Sequence, residues 1–258
     1  MSELSIITIT CNDADGLVKT RDSLPIDGFE WIVIDGSTQL DQVVRNKQIL
    51  QSRKVSLVQE PDGGRFDAMN KGFELVKGEI VCFLNSGDTF SSQRIVSEVL
   101  ASHHELSWKW SVGNTIAVDT HGVALWKWPM PRHNGLKLRL GINSYCHQAT
   151  FVSTHLIRKL GKFDKTSLYS DWVMSLKLSK ISAPYHLGFV TTHFLANGIS
   201  SKQSINYWRI ESHRLRKNHK ILILNFSHLD RLLQFLAAKF ISSTRGQLMR
   251  PDLVEKYP

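Results

Sequence analysis

The chain has 258 residues, 42% of them apolar and 21% charged, with 16 Gly and 7 Pro, enough for one large domain or two small ones around a real core. This composition excludes disorder, collagen-like repeats and a coiled coil. Three cysteines, Cys11, Cys82 and Cys146, are odd in number, widely spaced and lack a CxxC pair, which argues against a disulfide scaffold or structural zinc site and fits a reducing compartment.

The opening Met1-Ser-Glu-Leu-Ser-Ile-Ile-Thr lacks a basic segment followed by a long apolar run, and reads as an early strand rather than a secretion signal. No window approaches the ~18 apolar residues of a membrane-spanning helix, so the expectation is a soluble protein or one lying on a membrane surface. Leu4 to Thr10 is a β-branched run that ends in the turn-rich Cys11-Asn-Asp-Ala-Asp-Gly, and a helix is predicted from Leu17 to Leu24. Glu30 to Ile34 predicts a second strand stopping at Asp35-Gly-Ser, and residues 39–51 a helix. Residues 54–59 predict a third strand, and Phe66 to Val76 a helix whose apolar residues recur at helical steps. Glu79 to Leu84 predicts a fourth strand.

This alternation with short connections specifies an α/β fold, a parallel sheet with helices on both faces. Ligands of such sheets bind beyond the carboxyl ends of the strands, and polar groups are dense there. Asp35 follows the second strand, Asp62, Asp67, Asn70 and Lys71 the third, and Asn85, Ser86 and Asp88 the fourth. Converging carboxylates repel unless a cation or hydrogen-bond donors compensate; a divalent metal holding a diphosphate is one compensation, and a hydroxyl-rich ligand another. Taken singly, Asp35-Gly and Asp62-Gly are also favoured turn dipeptides.

Further along, Asp119-Thr-His-Gly looks like a hairpin turn leading to Trp126 and Trp128, a strand is expected at 149–152 after Cys146-His-Gln, and a helix from Trp172 to Leu178. From residue 205 to 250, nine Lys and Arg face only Glu211 and Asp230, so most of the net charge of +9 sits in this segment. Leu229, Leu232, Leu233, Leu236, Phe240 and Ile241 form one helical face within it. Such a helix either meets anionic lipid head groups or packs its apolar stripe on the main domain. No RNA-binding signature or aromatic stacking platform accompanies the charge, so nucleic acid is not the expected partner.

The motifs SIITIT at 5–10, WIVIDGS at 31–37, EPDGGRFDAMNKG at 60–72, GEIVCFLNSGD at 78–88, CHQATF at 146–151 and SDWVMSLKL at 170–178, in this order, make the chain resemble a family 2 glycosyltransferase of the GT-A fold. The likeness covers roughly 4–200 and extends to the subgroup that builds bacterial surface polysaccharides such as colanic acid, capsule and O-antigen. It implies a Rossmann-like, mostly parallel sheet, an inverting mechanism and a nucleotide-diphosphate sugar as donor. It places Thr8 and Thr10 in the nucleotide pocket, Asp35 against the base or ribose and Asp67 against the base. Asp62, Lys71, Asn85, Ser86 and His147 join the donor site, His147 by binding a phosphate or orienting the acceptor. Residues 85–88 stand in place of the family's Asp-x-Asp motif, with Asn85 and Gly87 where acids are usual, so only Asp88 offers a carboxylate to a divalent Mn²⁺ or Mg²⁺. Lys71 or Arg65 is available to neutralise part of the diphosphate charge.

Asp171 falls where the family keeps its catalytic base; its place just before a helix also suits an N-cap, a role for which Ser170 competes. His193 is a further candidate for reaching the diphosphate from a late loop, and Trp172 for shaping the acceptor site. The expected organisation is one domain at 1–204, its first 100 residues binding donor and the remainder acceptor, followed by a basic amphipathic helical tail at 205–258. The expected acceptor is a glycan on a polyprenyl diphosphate at the cytoplasmic face of the bacterial inner membrane. A sugar nucleotidyltransferase is the competing enzyme reading, disfavoured by a first loop that is acidic and holds one Gly. A non-catalytic basic protein binding lipid or nucleic acid is the third.

Overall fold

The computed structural model describes residues 2–128, 135–139, 145–196 and 205–218. Among the described residues nine strands form one sheet: β1 (Leu4–Thr10), β2 (Glu30–Asp35), β3 (Ser56–Gln59), β4 (Ile80–Phe83), β5 (Thr89–Phe90), β6 (Trp110–Val118), β7 (Ala124–Trp128), β8 (Thr150–Ser153) and β9 (Tyr185–Leu195). Their order is β3-β2-β1-β4-β8-β6-β9-β5, with β7 paired to β6. The predicted parallel arrangement holds across β3, β2, β1 and β4. Beyond them β8 runs antiparallel to both β4 and β6, and β9 returns parallel to β6.

The strands are apolar on both sides because both faces are covered. Ile7, Ile32 and Ile34 pack on one face against Phe66, Met69 and Phe73 of α3 (Arg65–Glu74). Leu4, Ile6, Trp31 and Val33 pack on the other against Leu17 of α1 (Ala14–Ser23) and Ile95, Val96 and Val99 of α4 (Ile95–Leu106). Helix α2 (Leu40–Leu50) lies beside α1. The predicted start of α1 is three residues late because Asp13 caps it, its Oδ1 accepting the Gly16 N–H at 3.1 Å.

Short α5 (Gly135–Arg139), α6 (Thr154–Leu160) and α7 (Ser170–Ser179) complete the first face. The predicted turn at 119–122 is present: Asp119 Oδ1 accepts the N–H groups of His121 and Val123, joining β6 to β7. Helix α8 (Ile205–Asn218), the described start of the basic segment, seats Leu215 in the core shared with Leu138 and Trp172. Arg216 also donates to the Arg139 carbonyl. The apolar stripe at 229–241, and with it the choice between lipid and packing, lies outside the described residues. Among the described residues no helix is long and apolar enough to cross a membrane. All three cysteines are free thiols.

Candidate active site

The carboxyl ends of β1 to β4 form one rim because parallel pairing sets Thr10 beside Asp35 and Asp35 beside Gln59. The chain after each strand closes onto its neighbour: Gly36 N–H donates to the Thr10 carbonyl, Glu60 N–H to that of Asp35, and Ser86 N–H to that of Ile9. The Thr10 hydroxyl is buried here without a partner. Thr8, two residues back, is fully buried, and its hydroxyl accepts the Trp31 indole N–H at 3.0 Å. It belongs to the core beneath the rim and does not line a nucleotide pocket. The pleat puts it on the face that α1 covers.

Asp35 is also fully buried, and its role differs from the predicted one. Its Oδ1 accepts the Ser37 N–H at 2.9 Å and its Oδ2 the Asn46 amide at 3.0 Å, so it anchors the loop after β2 to α2 instead of facing a base or ribose. Asp62 closes over that loop. A Cβ at Gly36 would lie 2.1 Å from Asp62 Oδ2, so a larger residue there would make the Asp62 carboxylate swing away. Cys11 lies alongside, its thiol pushed up in pKa by burial and then by Asp62 and Asp35.

Asp67 opens α3 and is held below the usual carboxylate range, chiefly by its bond to Lys165 and next by the Gly63 N–H. The distances are 2.6 Å to Lys165 Nζ and 2.8 Å from Gly63 N. Lys71 reaches Glu60 at 2.8 Å and stands 3.8 Å from Asp67. Glu60 is the largest influence holding the Lys71 pKa up. Asn70 looks back into the protein: its amide donates to the Phe163 carbonyl and accepts the Phe163 N–H, both at 2.9 Å.

The turn after β4 explains its unusual residues. Gly87 has φ +88°, and a Cβ there would meet Leu195 Cδ2 at 2.9 Å, so an acid at this position is disfavoured by backbone and packing alike. Ser86 donates to Asp13 Oδ2 at 2.8 Å, tying the turn to the cap of α1. Asp88 is 4% exposed, with Oδ2 accepting from the Gln148 amide at 2.8 Å and Oδ1 from Leu195 N–H at 2.9 Å. Burial pushes its pKa up to about 6. A carboxylate turned inward with both oxygens engaged does not present itself to a cation, and the described residues hold no group of three His, Cys, Asp or Glu suited to a metal. Asp88 therefore does not fit the predicted metal role. It clamps the end of β9 and the turn before β8.

The opposite wall comes from the second half of the chain. His147 lies in a 3₁₀ turn (His147–Ala149) ahead of β8. Its Nδ1 is 3.1 Å from Asp171 Oδ2, and its Nε2 is 3.2 Å from the Asn85 amide nitrogen. Asp171 sits in the first turn of α7, which begins two residues before the predicted Trp172. Neither residue weighed as its cap fills that role: the cap position is Tyr169, and Ser170 Oγ accepts the Asp164 N–H. Asp171 keeps 26% of its side chain exposed. Burial alone drives its carboxyl upward, but the His147 bond and charge, Arg65 and the Trp172 N–H outweigh that and leave it below the ordinary value. Arg65, first residue of α3, donates to the Leu168 carbonyl just before α7, and its Nε is buried without a partner.

The structure thus brings Asn85, His147 and Asp171 into one hydrogen-bonded row, and sets Asp62 on the loop after β3 and Asp67 and Lys71 on α3. His193 lies within β9 beside Thr89, not on a loop, and burial lowers its pKa. Trp172 is buried, its indole donating to the Leu138 carbonyl at 2.9 Å, so it is core and not an acceptor platform. Trp126 is half-buried on β7. Sequence reasoning missed Asp13, Asn46 and Gln148, which hold the rim together. Only Asp13 had a readable signal, an Asp three residues before Gly16 at a helix start.

By sequence, the family model for glycosyl transferase family 2 matches residues 5–155. The chain belongs to glycosyl transferase family 2. This family 2 glycosyltransferase is 32% identical over 206 residues to an uncharacterized glycosyltransferase of Mycobacterium tuberculosis, the match taking in 77% of each chain. Among solved structures it resembles S. aureus TarS residues 1–349 in complex with UDP-GlcNAc, with TM-score 0.61 and 18% identity over 91% of this chain and 70% of that one. It also resembles the mannosyltransferase PcManGT from Pyrobaculum calidifontis in complex with GDP-Man and Mn²⁺, with TM-score 0.55 and 19% identity over 84% of this chain and 62% of that one. At these identities the structural likeness establishes the fold, which is GT-A-like.

Proposed function

We propose that this enzyme is an inverting glycosyltransferase that moves a sugar from a nucleotide-diphosphate donor to a glycan carried on a polyprenyl diphosphate, in the synthesis of a bacterial surface polysaccharide. The observation that carries the mechanism is Asp171, a part-exposed, ionised carboxylate on α7 joined through His147 to Asn85 at the end of β4. A base from the second half of the chain and a donor rim from the first meet at this row.

The donor nucleotide is assigned to the rim after β1 to β3, where Thr10 has an unused hydroxyl and the part-exposed Asp62, bonded at Oδ1 to the Gly64 N–H, offers its other oxygen to N–H and O–H groups. A nucleotide-sugar donor is supported by the UDP-GlcNAc and GDP-Man held by the two structural neighbours. In the reaction the acceptor hydroxyl gives its proton to a free lone pair of Asp171 as its oxygen attacks the anomeric carbon. The bond from that carbon to the diphosphate oxygen breaks, and its electron pair leaves with the nucleoside diphosphate. Attack from the face opposite the leaving group inverts the configuration. Base assistance of this kind contributes about 10²–10⁴-fold. Arg65, whose guanidinium lies near Asp171 and retains an unpaired N–H, is the cation assigned to the charge that develops as the diphosphate leaves.

The donor half at 1–100, the acceptor half at 101–204 and attachment of the basic segment to the inner-membrane surface complete the reading. A lipid-borne acceptor gives that charge a purpose. Calorimetry with UDP, GDP and their sugars, with and without Mn²⁺, followed by measurement of diphosphate released in the presence of acceptor, tests it. Binding of a nucleoside diphosphate and acceptor-dependent release are expected. Turnover of a nucleoside triphosphate with a sugar phosphate would instead indicate a nucleotidyltransferase, and failure to bind any nucleotide a non-catalytic protein.

A further inference from the structure

His147 has two neighbours of unlike chemistry. On one side Asp171, once ionised, offers only acceptors; on the other the Asn85 amide nitrogen offers only N–H donors. A neutral imidazole has one N–H and one lone pair, and a single arrangement satisfies both partners. Nε2 must carry the lone pair that receives the Asn85 N–H, and Nδ1 must carry the proton that points to Asp171 Oδ2. An acid at position 85 would reverse this demand, because it accepts hydrogen bonds and donates none when ionised. Asparagine at this position and histidine at 147 are therefore matched to each other.

We propose that His147 is the positioning residue for the catalytic base, with Asn85 fixing its tautomer so that Nδ1–H orients the Asp171 carboxylate toward the acceptor. This rests on the reading of Asp171 as base given above. The second Asp171 oxygen accepts the Trp172 N–H at 3.0 Å, so the carboxylate is held at both ends, and a lone pair remains for the incoming proton. His147 has only 16% of its side chain exposed, which keeps water from competing for the pair. The titratable and charged groups facing Asp171 are the His147 ring, from the turn before β8, and the Arg65 guanidinium, from α3. Those facing His147 are Asp171 and, across Gln148, the buried Asp88. His147 and Arg65 both favour the ionised form of Asp171. Loss of the imidazole leaves Arg65 and the Trp172 N–H to oppose burial, so the base becomes easier to protonate.

The test compares His147→Asn, whose amide nitrogen overlies Nδ1, with His147→Gln, whose amide overlies Nε2. Diphosphate release is followed from pH 5 to 8, donor binding by calorimetry, and the histidine ring ¹⁵N shifts of the wild type by NMR. Expected are a kcat reduced about tenfold or more in His147→Gln, a smaller loss in His147→Asn, and donor affinity within a few fold of wild type in both. The acid limb of the kcat profile in His147→Gln moves up by about one pH unit. The wild-type ring is expected as the Nδ1–H tautomer, and a doubly protonated ring is expected in Asn85→Asp, where both neighbours accept. Equal kcat losses with a raised donor Kd and an unmoved acid limb would make His147 a phosphate ligand and overturn the proposal. An Nε2–H ring in the wild type would overturn it without any activity measurement. A wild type that transfers no sugar would refute the functional reading itself, an outcome the NMR result distinguishes.

Discussion

Replacing Asp171 by Asn probes the base with the smallest change of shape. The amide oxygen can still accept the Trp172 N–H, which lies 3.0 Å from Oδ1, and the amide nitrogen takes the place of the oxygen 3.1 Å from His147 Nδ1. The ring answers by presenting a lone pair there, at the cost of its contact with Asn85. One hydrogen bond to a charged group is lost, about 1.5–3 kcal/mol of local stability at most, and less here because a quarter of the side chain meets solvent. The rim assigned to the donor, after β1 to β3, is untouched. What disappears is proton acceptance, so kcat should fall about 10²–10⁴-fold, equivalent to about 3–5 kcal/mol of transition-state stabilisation. Donor affinity by calorimetry should stay within a few fold. A variant whose acceptor-dependent diphosphate release remained within tenfold of wild type would refute the assignment. A thermal midpoint lowered by tens of degrees would instead make Asp171 a structural residue.

Three further outcomes follow from the geometry. Asp88 has its folded pKa raised to about 6, so it stabilises the fold most fully below the ordinary carboxylate pKa and loses that contribution as pH rises through 6. Asp88→Asn removes this dependence and loses one of two bonds, and the melting deficit of the variant should shrink between pH 4 and pH 7. Asn70→Ala strands the Phe163 N–H and carbonyl that it pairs with at 2.9 Å; denaturant unfolding should show a loss of about 2–4 kcal/mol, with the slope unchanged. Gly87→Asp places a side chain at φ +88° against Leu195; it should destabilise by about 1–3 kcal/mol and, read by calorimetry, weaken donor binding rather than create a tighter cation site.

The first four strands and the three helices among them were legible because each carries its own period, and short turns force neighbours together. The gathering of their carboxyl ends into one rim was legible for the same reason. The middle of the sheet was not legible. β6 pairs with β9 and β8 across long stretches of chain, and no local pattern announces a partner that far away. The same distance explains the site residues that were misplaced. Asp88 is turned inward by Gln148 and Leu195, 60 and 107 residues away, and Trp172 by Leu138. Thr8 and Thr10 have the same period in sequence, yet Trp31 takes the hydroxyl of one and leaves the other at the rim. The family resemblance singled out Asp171, and the Cys146-His-Gln stretch His147, as separate candidates. That they touch is a fact of the fold, set by β4 pairing with β8 and by α7 packing on α5 and α6.

A crystal structure of the enzyme with a bound nucleotide-diphosphate sugar tests the central claim most directly. The nucleotide is expected at the carboxyl ends of β1 to β3, touching Thr10 and the Asp62 loop, with the anomeric carbon directed toward Asp171 across the His147 row. A donor bound at any other edge of the sheet, or an anomeric carbon facing away from Asp171, would contradict it.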